Sequence, residues 1–504
     1  MMPSGLYRAT IALGANVGPK LQRFHQALAM LGTVGRVERT SALYVTEPLY
    51  MREQPAFYNA ALTLITDRAP AQLLGALQQM ERELGREGEA VGALRYGPRP
   101  IDLDIVWYEQ RRKPHEPFQR MEPLHTAALQ VPHAKLFERE FVLRPMRDLG
   151  HALQAERPQP GVVQQVLPFL PDDSYLEVCR PSLREPHIMG ILNITPDSFS
   201  DGSERNLLVT NAVAAAERLV RDGATVLDVG GQSTRPGAAP VPPEQEEARV
   251  VPVIRALREV YPRGRGIFIS VDTFSARVAR AALTVGADLI NDVSAGGMDA
   301  DMLRTAAEQV VPIVLMHMRG NPKTMMDLAE YDTDQVACTV AAELAERVAA
   351  AERAGIPRWH IIVDPGLGFA KHAHHCLELL RDVETFRQGV QAGGSMLPLL
   401  MGPSRKRLLA QFCGPRQAVH APISPGTPAA TTPSSTAARD PDASTERDFA
   451  TAGAVAWATL QRVDFVRVHR PAVCDAARLV AHLRSSTNAP AASADQPAAP
   501  SHLP

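Results

Sequence analysis

A chain of 504 residues with 45% hydrophobic content and a formal net charge of -2 has material for two or three domains with well-formed cores. Near-neutral charge excludes a general attraction to nucleic acid or an anionic membrane, so local cations are expected to serve a small anionic ligand. Five scattered cysteines (Cys179, Cys338, Cys376, Cys413, Cys474) without a Cys-x-x-Cys exclude a disulfide framework and a zinc site and suit a reducing, cytoplasmic compartment.

From the amino terminus, the first strand is expected near Tyr7, which leaves no room for a signal or transit peptide, and no apolar run reaches the length of a membrane span. Strand-like runs at residues 9–13, 37–45, 58–65 and 101–107 alternate with helical stretches at 20–31 and 70–84. Few, long strands with helices between them predict an α+β sandwich of ferredoxin-like type over residues 1–170. A proline-containing linker is expected at 171–186.

Downstream, short and nearly continuous apolar runs recur. They begin at Ile188, Val226, Ile267, Leu289, Ile313, Ile361, Leu397 and Phe465. Such runs suit parallel strands covered on both faces. Helical patterns fill the intervals, as in Val336, Val340, Leu344 and Val348. Eight strand–helix units in about 300 residues predict a (β/α)8 barrel over residues 187–484, and a doubly wound open sheet is the competing arrangement. Residues 415–445 and the tail 485–504 are dense in Pro, Ser, Thr and Ala. Both are expected to be disordered, the first as an insertion in the barrel.

Polar residues sit in or just beyond each apolar run of the barrel: Asn193, Asp228, Asp272, Asn291 with Asp292, His317, Asp364, Lys406, and Arg467 with His469. Any one of these would ordinarily be a helix cap. As a set they converge on the carboxyl-end rim, where barrels carry chemistry. The loop Gly230-Gly231-Gln232-Ser233-Thr234-Arg235-Pro236-Gly237 is small, hydroxyl-rich and cationic, and Ser404-Arg405-Lys406 adds charge, a composition suited to an anion. Gly366-Leu367-Gly368-Phe369-Ala370-Lys371 lacks the Gly-Lys-Ser/Thr ending of a phosphate loop and reads as a strand-end turn.

In the first domain, Arg99-Pro100-Ile101-Asp102-Leu103-Asp104 is the sharpest motif. Residues i and i+2 of a strand share a face, so Asp102 and Asp104 present adjacent carboxylates, a donor set for Mg2+ on nucleotide phosphates. A lone Asp-x-Asp is more often an acidic strand face. Nearby Arg86, Arg95 and Arg99 favour triphosphate chemistry.

The barrel motifs closely resemble those of dihydropteroate synthase from about Pro186 to Arg484. That resemblance implies pterin binding by Asp272, Asn291, Asp364 and Lys406. It places pyrophosphate and Mg2+ at Asn193, with Arg235, Arg467 and His469 also on the pyrophosphate, and p-aminobenzoate at Thr234, Pro236, Phe369 and Ser404. Gln232 stands where Glu is common in that family, and Ala370 where Gly is common. Residues 6–167 are similar to hydroxymethyldihydropterin pyrophosphokinase through Gly14-Ala15-Asn16, Thr46-Glu47-Pro48-Leu49, Gln54-Pro55-Ala56-Phe57-Tyr58-Asn59 and Val131-Pro132-His133. There the resemblance implies a pterin site at Thr46, Leu49, Phe57, Asn59 and Phe141, ATP at Arg86, Arg99, His133 and Arg139, and Mg2+ at Asp102 and Asp104. The segment 87–94 is glycine- and acid-rich where that family carries a further basic residue. Together the two imply consecutive folate-synthesis steps on one chain, inhibition by sulfonamides and a homodimer through the barrel. A folate-to-corrinoid methyltransferase barrel would share the Asp and Asn pterin contacts but would not need Ser404-Arg405-Lys406 or Arg467-Val468-His469. A non-enzymatic pterin-binding scaffold would not need Asp102 and Asp104.

Overall fold

The structure is a computed structural model that describes residues 6–49, 51, 53–86, 97–153, 163–168, 176–178, 185–194, 205–391, 397–410, 412–413 and 441–487. The first sheet is antiparallel throughout its described pairs. Its strands are β1 (Leu6–Ala15), β2 (Arg36–Thr40), β3 (Leu43–Thr46), β4 (Phe57–Thr66), β5 (Asp102–Arg111), β6 (Gln119–Arg120), β9 (Val163–Pro168) and β10 (Leu176–Val178). They run in the order β10-β9-β3-β4-β1-β5-β6, with β2 also on β4, while β7 (Leu124–His125) and β8 (Gln130–Val131) form a separate small hairpin. The residues 37–45 expected as one strand are two, because the ladder breaks at Ser41–Ala42 while both halves stay on β4.

Period-two alternation divides the two faces of this sheet. Ile11, Leu13 and Ile105 pack under α1 (Lys20–Leu31) and α2 (Pro70–Glu83), whose Leu21, Phe24, Leu31, Leu73 and Leu77 face inward at helical spacing. Ala12 and Val106 face the other way, toward Val142, Leu143 and Met146 of α3 (Glu140–Asp148). The helices therefore sandwich the sheet as the composition of its strands requires.

The second sheet is parallel: β11 (His187–Asn193), β12 (Val226–Gly230), β13 (Phe268–Asp272), β14 (Leu289–Asp292), β15 (Ile313–Met316), β16 (Ile361–Asp364), β17 (Leu400–Met401) and β18 (Phe465–Val468). Neighbours follow sequence order from β11 to β16, β11 pairs β18, and β18 pairs β17. A parallel bridge between Val363 and Leu399 closes the ring. That closure rejects the open sheet. Met189, Val226, Phe268, Leu289, Val314, Ile362, Leu400 and Phe465, one from each strand, fill the interior as a buried apolar layer. Outward-facing Leu227, Ile269, Ile290 and Leu315 join the helices in a second core. Polar groups on the inward face begin above this layer, with Asp228 and Ser270 at the middle of their strands and Asp272 and Asn291 nearer the ends.

Three boundaries differ from the sequence expectation. Within the expected linker 171–186, Leu176–Val178 is a strand that pairs with β9, so the first domain's sheet extends through it. Residues 415–440 of the expected insertion 415–445 lie outside the described residues, but 441–445 open the helix α12 (Pro441–Leu460). Proline suits the first helical position, so the proline that suggested disorder is here a helix start. Residues 485–487 of the expected tail finish α13 (Asp475–Thr487), and the rest lies outside the described residues.

The two domains are joined by a plug. Arg358–His360 form a short turn after α8 (Val336–Arg353), immediately before β16, at the end of the barrel away from the rim. Trp359 is buried within the first domain's core, against Phe24 and His25 of α1. The Arg358 backbone N–H donates to Thr40 Oγ1 at 2.7 Å, and its buried guanidinium holds Glu352 at 3.0 Å. Glu352 also faces Arg39 of β2. His25 and His360 meet with ring centroids 5.1 Å apart. Burial lowers the His25 pKa to about 4 and that of His360 well below its ordinary value.

Trp359→Ala is expected to cost ~3–5 kcal/mol through the cavity it leaves and to split one calorimetric unfolding transition into two. A single transition unchanged in temperature would show that the plug does not couple the domains. Below the unfolded histidine pKa of about 6.5, the unfolded chain takes up a proton on His25 that the folded protein refuses until about pH 4. Stability should therefore fall as pH drops from about 6.5 toward 4, and His25→Phe should flatten that fall in denaturant titrations.

Candidate active sites

In the first domain the site gathers at one end of the sheet. Gly14 of β1 lies between Asn59 of β4 and Asp102 of β5 in register. Asn59 Nδ2 donates to Thr46 Oγ1 at 2.8 Å, and Thr46 pairs with Phe57 across β3 and β4, so Thr46, Phe57 and Asn59 come together as expected. Asn16 ties three segments: its side chain donates to Gln54 Oε1 and Pro55 O and accepts from the Arg99 N–H at 2.7 Å. Leu49 and Phe141 are half-buried, with Phe141 beside the Arg139 guanidinium.

Asp102 is held by two arginines. Arg86 Nη1 donates to Oδ1 at 2.6 Å and Arg99 Nη1 to Oδ2 at 2.7 Å. Arg86 also binds Glu81, whose Oε1 accepts from the Leu103 N–H at 2.8 Å. Burial, with Asp102 beside it, pushes the Asp104 carboxyl up to about 7, against the pull of Arg139 and Arg99. Two adjacent carboxylates of this kind are donors of the type that hard divalent cations take. His133 is half-buried, accepts the Lys135 N–H at Nδ1, and has its pKa lowered by burial and by Arg139. The segment 87–94, together with Arg95, lies outside the described residues.

At the barrel rim the expected pterin residues converge. Asp272, Asn291 and Asp364 are buried at the ends of β13, β14 and β16. Asp228 of β12, which the sequence marked only as one strand-end residue among many, joins them. Its Oδ2 accepts from Asn291 Nδ2 at 3.0 Å and from Arg467 Nε at 2.6 Å. Arg467 Nη2 donates to Asp272 Oδ2, also at 2.6 Å. The other oxygens, Asp228 Oδ1 and Asp272 Oδ1, are buried without a hydrogen-bond partner among the described residues. Unpartnered buried acceptors cost stability, and here they offer themselves to a ligand's N–H edge. Burial raises Asp272, with Asp228 adding to it, and raises Asp364 to about 6.

Cations line the neighbouring side. Lys406 lies 4.3 Å from the Phe369 ring centroid, and burial with Arg467 beside it lowers its pKa to about 8. The His469 backbone N–H donates to Ser404 Oγ at 3.2 Å, and its ring Nδ1 lies 3.1 Å from the same hydroxyl. Burial, then Arg467, Arg405, Arg235 and Lys406, pull His469 down to about 3. It is neutral at physiological pH. Thr234 is half-buried while Arg235 and Pro236 are exposed on the loop after β12, and Asn193 ends β11 beside a segment, 195–204, outside the described residues.

Three residues behind the rim were missed by sequence reading. Glu246 of α5 (Pro243–Val260) accepts from Gln232 Nε2 at 2.7 Å under the β12 loop, and burial raises it to about 7. Asp448 of α12 holds Arg405 through both oxygens. Lys371 is buried beneath the Gly366–Ala370 turn. Nothing in composition or spacing distinguishes these from surface helix residues. Ala370, where the sequence departs from glycine, takes a left-handed φ of 47° that glycine adopts without strain.

Residues 10–151 match the family described as 7,8-dihydro-6-hydroxymethylpterin-pyrophosphokinase (HPPK), and residues 189–469 match the pterin binding enzyme family. The chain is 37% identical over 505 residues to the folate synthesis bifunctional protein of Arabidopsis thaliana, covering 93% of this chain and 94% of that one. Over 230 residues it is 44% identical to the dihydropteroate synthase of Escherichia coli K12, which is 46% of this chain and 77% of that one. Among solved structures, wild-type Plasmodium falciparum HPPK-DHPS with pteroate shares the fold at a TM-score of 0.68 and 18% identity, over 96% of this chain and 98% of that one.

Arg467→Met would leave Asp228 and Asp272 without the guanidinium they share. A loss of ~3–5 kcal/mol in denaturant unfolding of the barrel is expected, since it breaks a buried ion pair from one side. A loss below about 1 kcal/mol would mean that the carboxylates do not depend on it.

Proposed function

The chain belongs to the bifunctional folate-synthesis family that joins a pyrophosphokinase to dihydropteroate synthase, and on that premise we propose how its residues divide the two reactions. It transfers pyrophosphate from ATP to 6-hydroxymethyl-7,8-dihydropterin, and then condenses the product with p-aminobenzoate to give 7,8-dihydropteroate.

The first reaction is assigned to residues 1–170 with the strand that extends their sheet to Val178. The pterin lies among Thr46, Leu49, Phe57, Asn59 and Phe141, and ATP against Arg86, Arg99, His133 and Arg139. Asp102 and Asp104 would hold Mg2+, supported by their shared strand face and by the burial that lifts Asp104 when no cation is beside it. Bound there, Mg2+ neutralises phosphate charge and aligns the triphosphate. The substrate hydroxyl oxygen forms a bond to the β-phosphorus as the bond to the α-phosphate oxygen breaks, and AMP leaves. Arg86 and Arg99, now bound to Asp102, are positioned to pass to the phosphates.

The second reaction is assigned to residues 187–484. One observation carries it: buried, unpartnered carboxylate oxygens stand beside a cluster of cations. The pterin's N–H edge suits Asp272, Asn291 and Asp364 with Lys406, and Asp228 joins them. Asn193, Arg235, Arg467 and His469 take the pyrophosphate, and Asn193 contributes one amide oxygen for Mg2+. Arg467 has five N–H donors, and its two carboxylate bonds leave others for an anion. As the methylene carbon–oxygen bond breaks, charge builds on the leaving pyrophosphate, and preorganised cations offset it. The arylamine nitrogen, held near Thr234, Pro236, Phe369 and Ser404, bonds to that carbon and sheds its proton. The cation cluster favours this over methyl transfer to a corrinoid, which develops no such leaving group.

No described helix is long and apolar enough to cross a membrane. We place the protein in the cytoplasm, supported by the thiols of Cys338, Cys376 and Cys474, which form no disulfide among the described residues. A homodimer through the barrel is supported by exposed Phe449 and Leu460 on α12 beside exposed Leu479 and Leu483 on α13. Release of the intermediate between the two sites is supported by the position of the plug away from the rim.

Purified protein given ATP, Mg2+, hydroxymethyldihydropterin and p-aminobenzoate should form dihydropteroate and AMP; ADP would sink the pyrophosphoryl assignment. Asp102→Ala should lower the first step by at least ~10³-fold while preformed pterin pyrophosphate is still consumed. Sulfonamides should compete with p-aminobenzoate in steady-state kinetics, and an intermediate that resists dilution by a trapping enzyme would contradict its release.

A further inference from the structure

The turn after β16 is held from inside by a buried amine that the reactions above do not use. Gly366, Gly368 and Ala370 have φ values of 69°, 75° and 47°. At Gly366 a Cβ would lie 2.1 Å from the His317 carbonyl oxygen, so the turn closes directly on the end of β15. Lys371 Nζ lies inside this turn. It donates to the carbonyls of Phe369 at 3.0 Å and Gly366 at 3.3 Å, and lies 2.7 Å from His317 Nδ1. An ammonium has three donors, and these acceptors match them.

The chain of contacts continues outward. His317 Nε2 is 2.9 Å from Glu343 Oε2 on α8, and Glu343 is also bound by Arg319. With Nδ1 accepting from Lys371, the ring proton belongs on Nε2 and is donated to Glu343, the tautomer that satisfies both neighbours. Burial lowers Lys371 to about 7, and the bonds from His317 and Arg319 keep Glu343 near 2. The amide of Gly368 is tied separately to Cys376 Sγ at 3.2 Å.

We propose that Lys371, backed by His317 and Glu343, is a positioning residue for the arylamine half of the barrel reaction. By gathering the carbonyls of Gly366 and Phe369 it fixes a turn whose one half-buried aromatic ring lies against Lys406. Without it, a turn with three left-handed residues, one of them alanine, relaxes toward ordinary backbone conformations. The Phe369 ring then loses its place, while Asp272 and Asn291 on other strands keep theirs and Asp364, on β16, keeps the Gly366 N–H at 2.7 Å. The inference rests on reading Phe369 as part of the p-aminobenzoate site.

The test is steady-state kinetics of full-length Lys371→Met with each barrel substrate varied. Losing charge-assisted hydrogen bonds should raise KM for p-aminobenzoate about tenfold or more, with KM for the pterin pyrophosphate within about twofold and the pyrophosphokinase reaction unchanged. Inhibition by a sulfonamide should weaken in parallel. Glu343→Ala, at a half-exposed helix position, should move the same constant in the same direction by about threefold, and it decides the matter if Lys371→Met does not fold. A fall in kcat with both KM values unmoved overturns the proposal. Phe369→Ala separates the two readings. If it leaves KM for p-aminobenzoate unchanged, the site reading fails and the proposal with it; if it raises KM while Lys371→Met and Glu343→Ala do not, only the positioning role fails.

Discussion

Arg467 leaves the last barrel strand with its guanidinium 2.6 Å from carboxylates on the second and third strands. Burying three charged groups together costs desolvation that only mutual pairing offsets. The pairing in turn requires β18, β12 and β13 to end at matched heights around the ring. The apolar interior layer beneath secures those heights, since each strand contributes one side chain to it. Charge at the strand ends and hydrocarbon below them are one arrangement seen from two sides. The site inherits its polarity from it, with acceptors toward β12 to β14 and cations toward β17 and β18.

The loops of the rim are held from behind rather than by their own sequence. Gln232 rests on Glu246, the Gly366–Ala370 turn on Lys371 and His317, and Arg405 on Asp448. Arg405 itself takes a left-handed φ of 56°, so its ion pair offsets backbone strain at the turn that carries Lys406. Asp448 stands on α12, so that contact anchors the helix to the rim.

A different economy governs the join between domains. Trp359 gives the first domain a core residue that its own sequence lacks, and Arg358 with Glu352 fills the polar margin. Since this turn precedes β16, docking occupies the barrel's amino-end face and leaves the rim free. Fusion therefore supplies both activities on one chain.

Much of this was legible in the sequence. Strand periodicity and count predicted both domain folds, because burial on one face or two leaves different hydrophobic patterns. Strand-end polarity pointed to the rim, and the spacing of Asp102 and Asp104 placed both carboxylates on one face of β5, since side-chain direction on a strand follows from spacing alone. Barrel closure over an open sheet was decided by pairing between β16 and β17, a contact distant in sequence. Tertiary structure also turned five proline-flanked residues into a helix start and part of a linker into a strand. Asp228, Lys371, Glu246 and Trp359 became significant only when folded. Each acts through a neighbour far along the chain, and periodicity records which way a side chain faces but not what it meets.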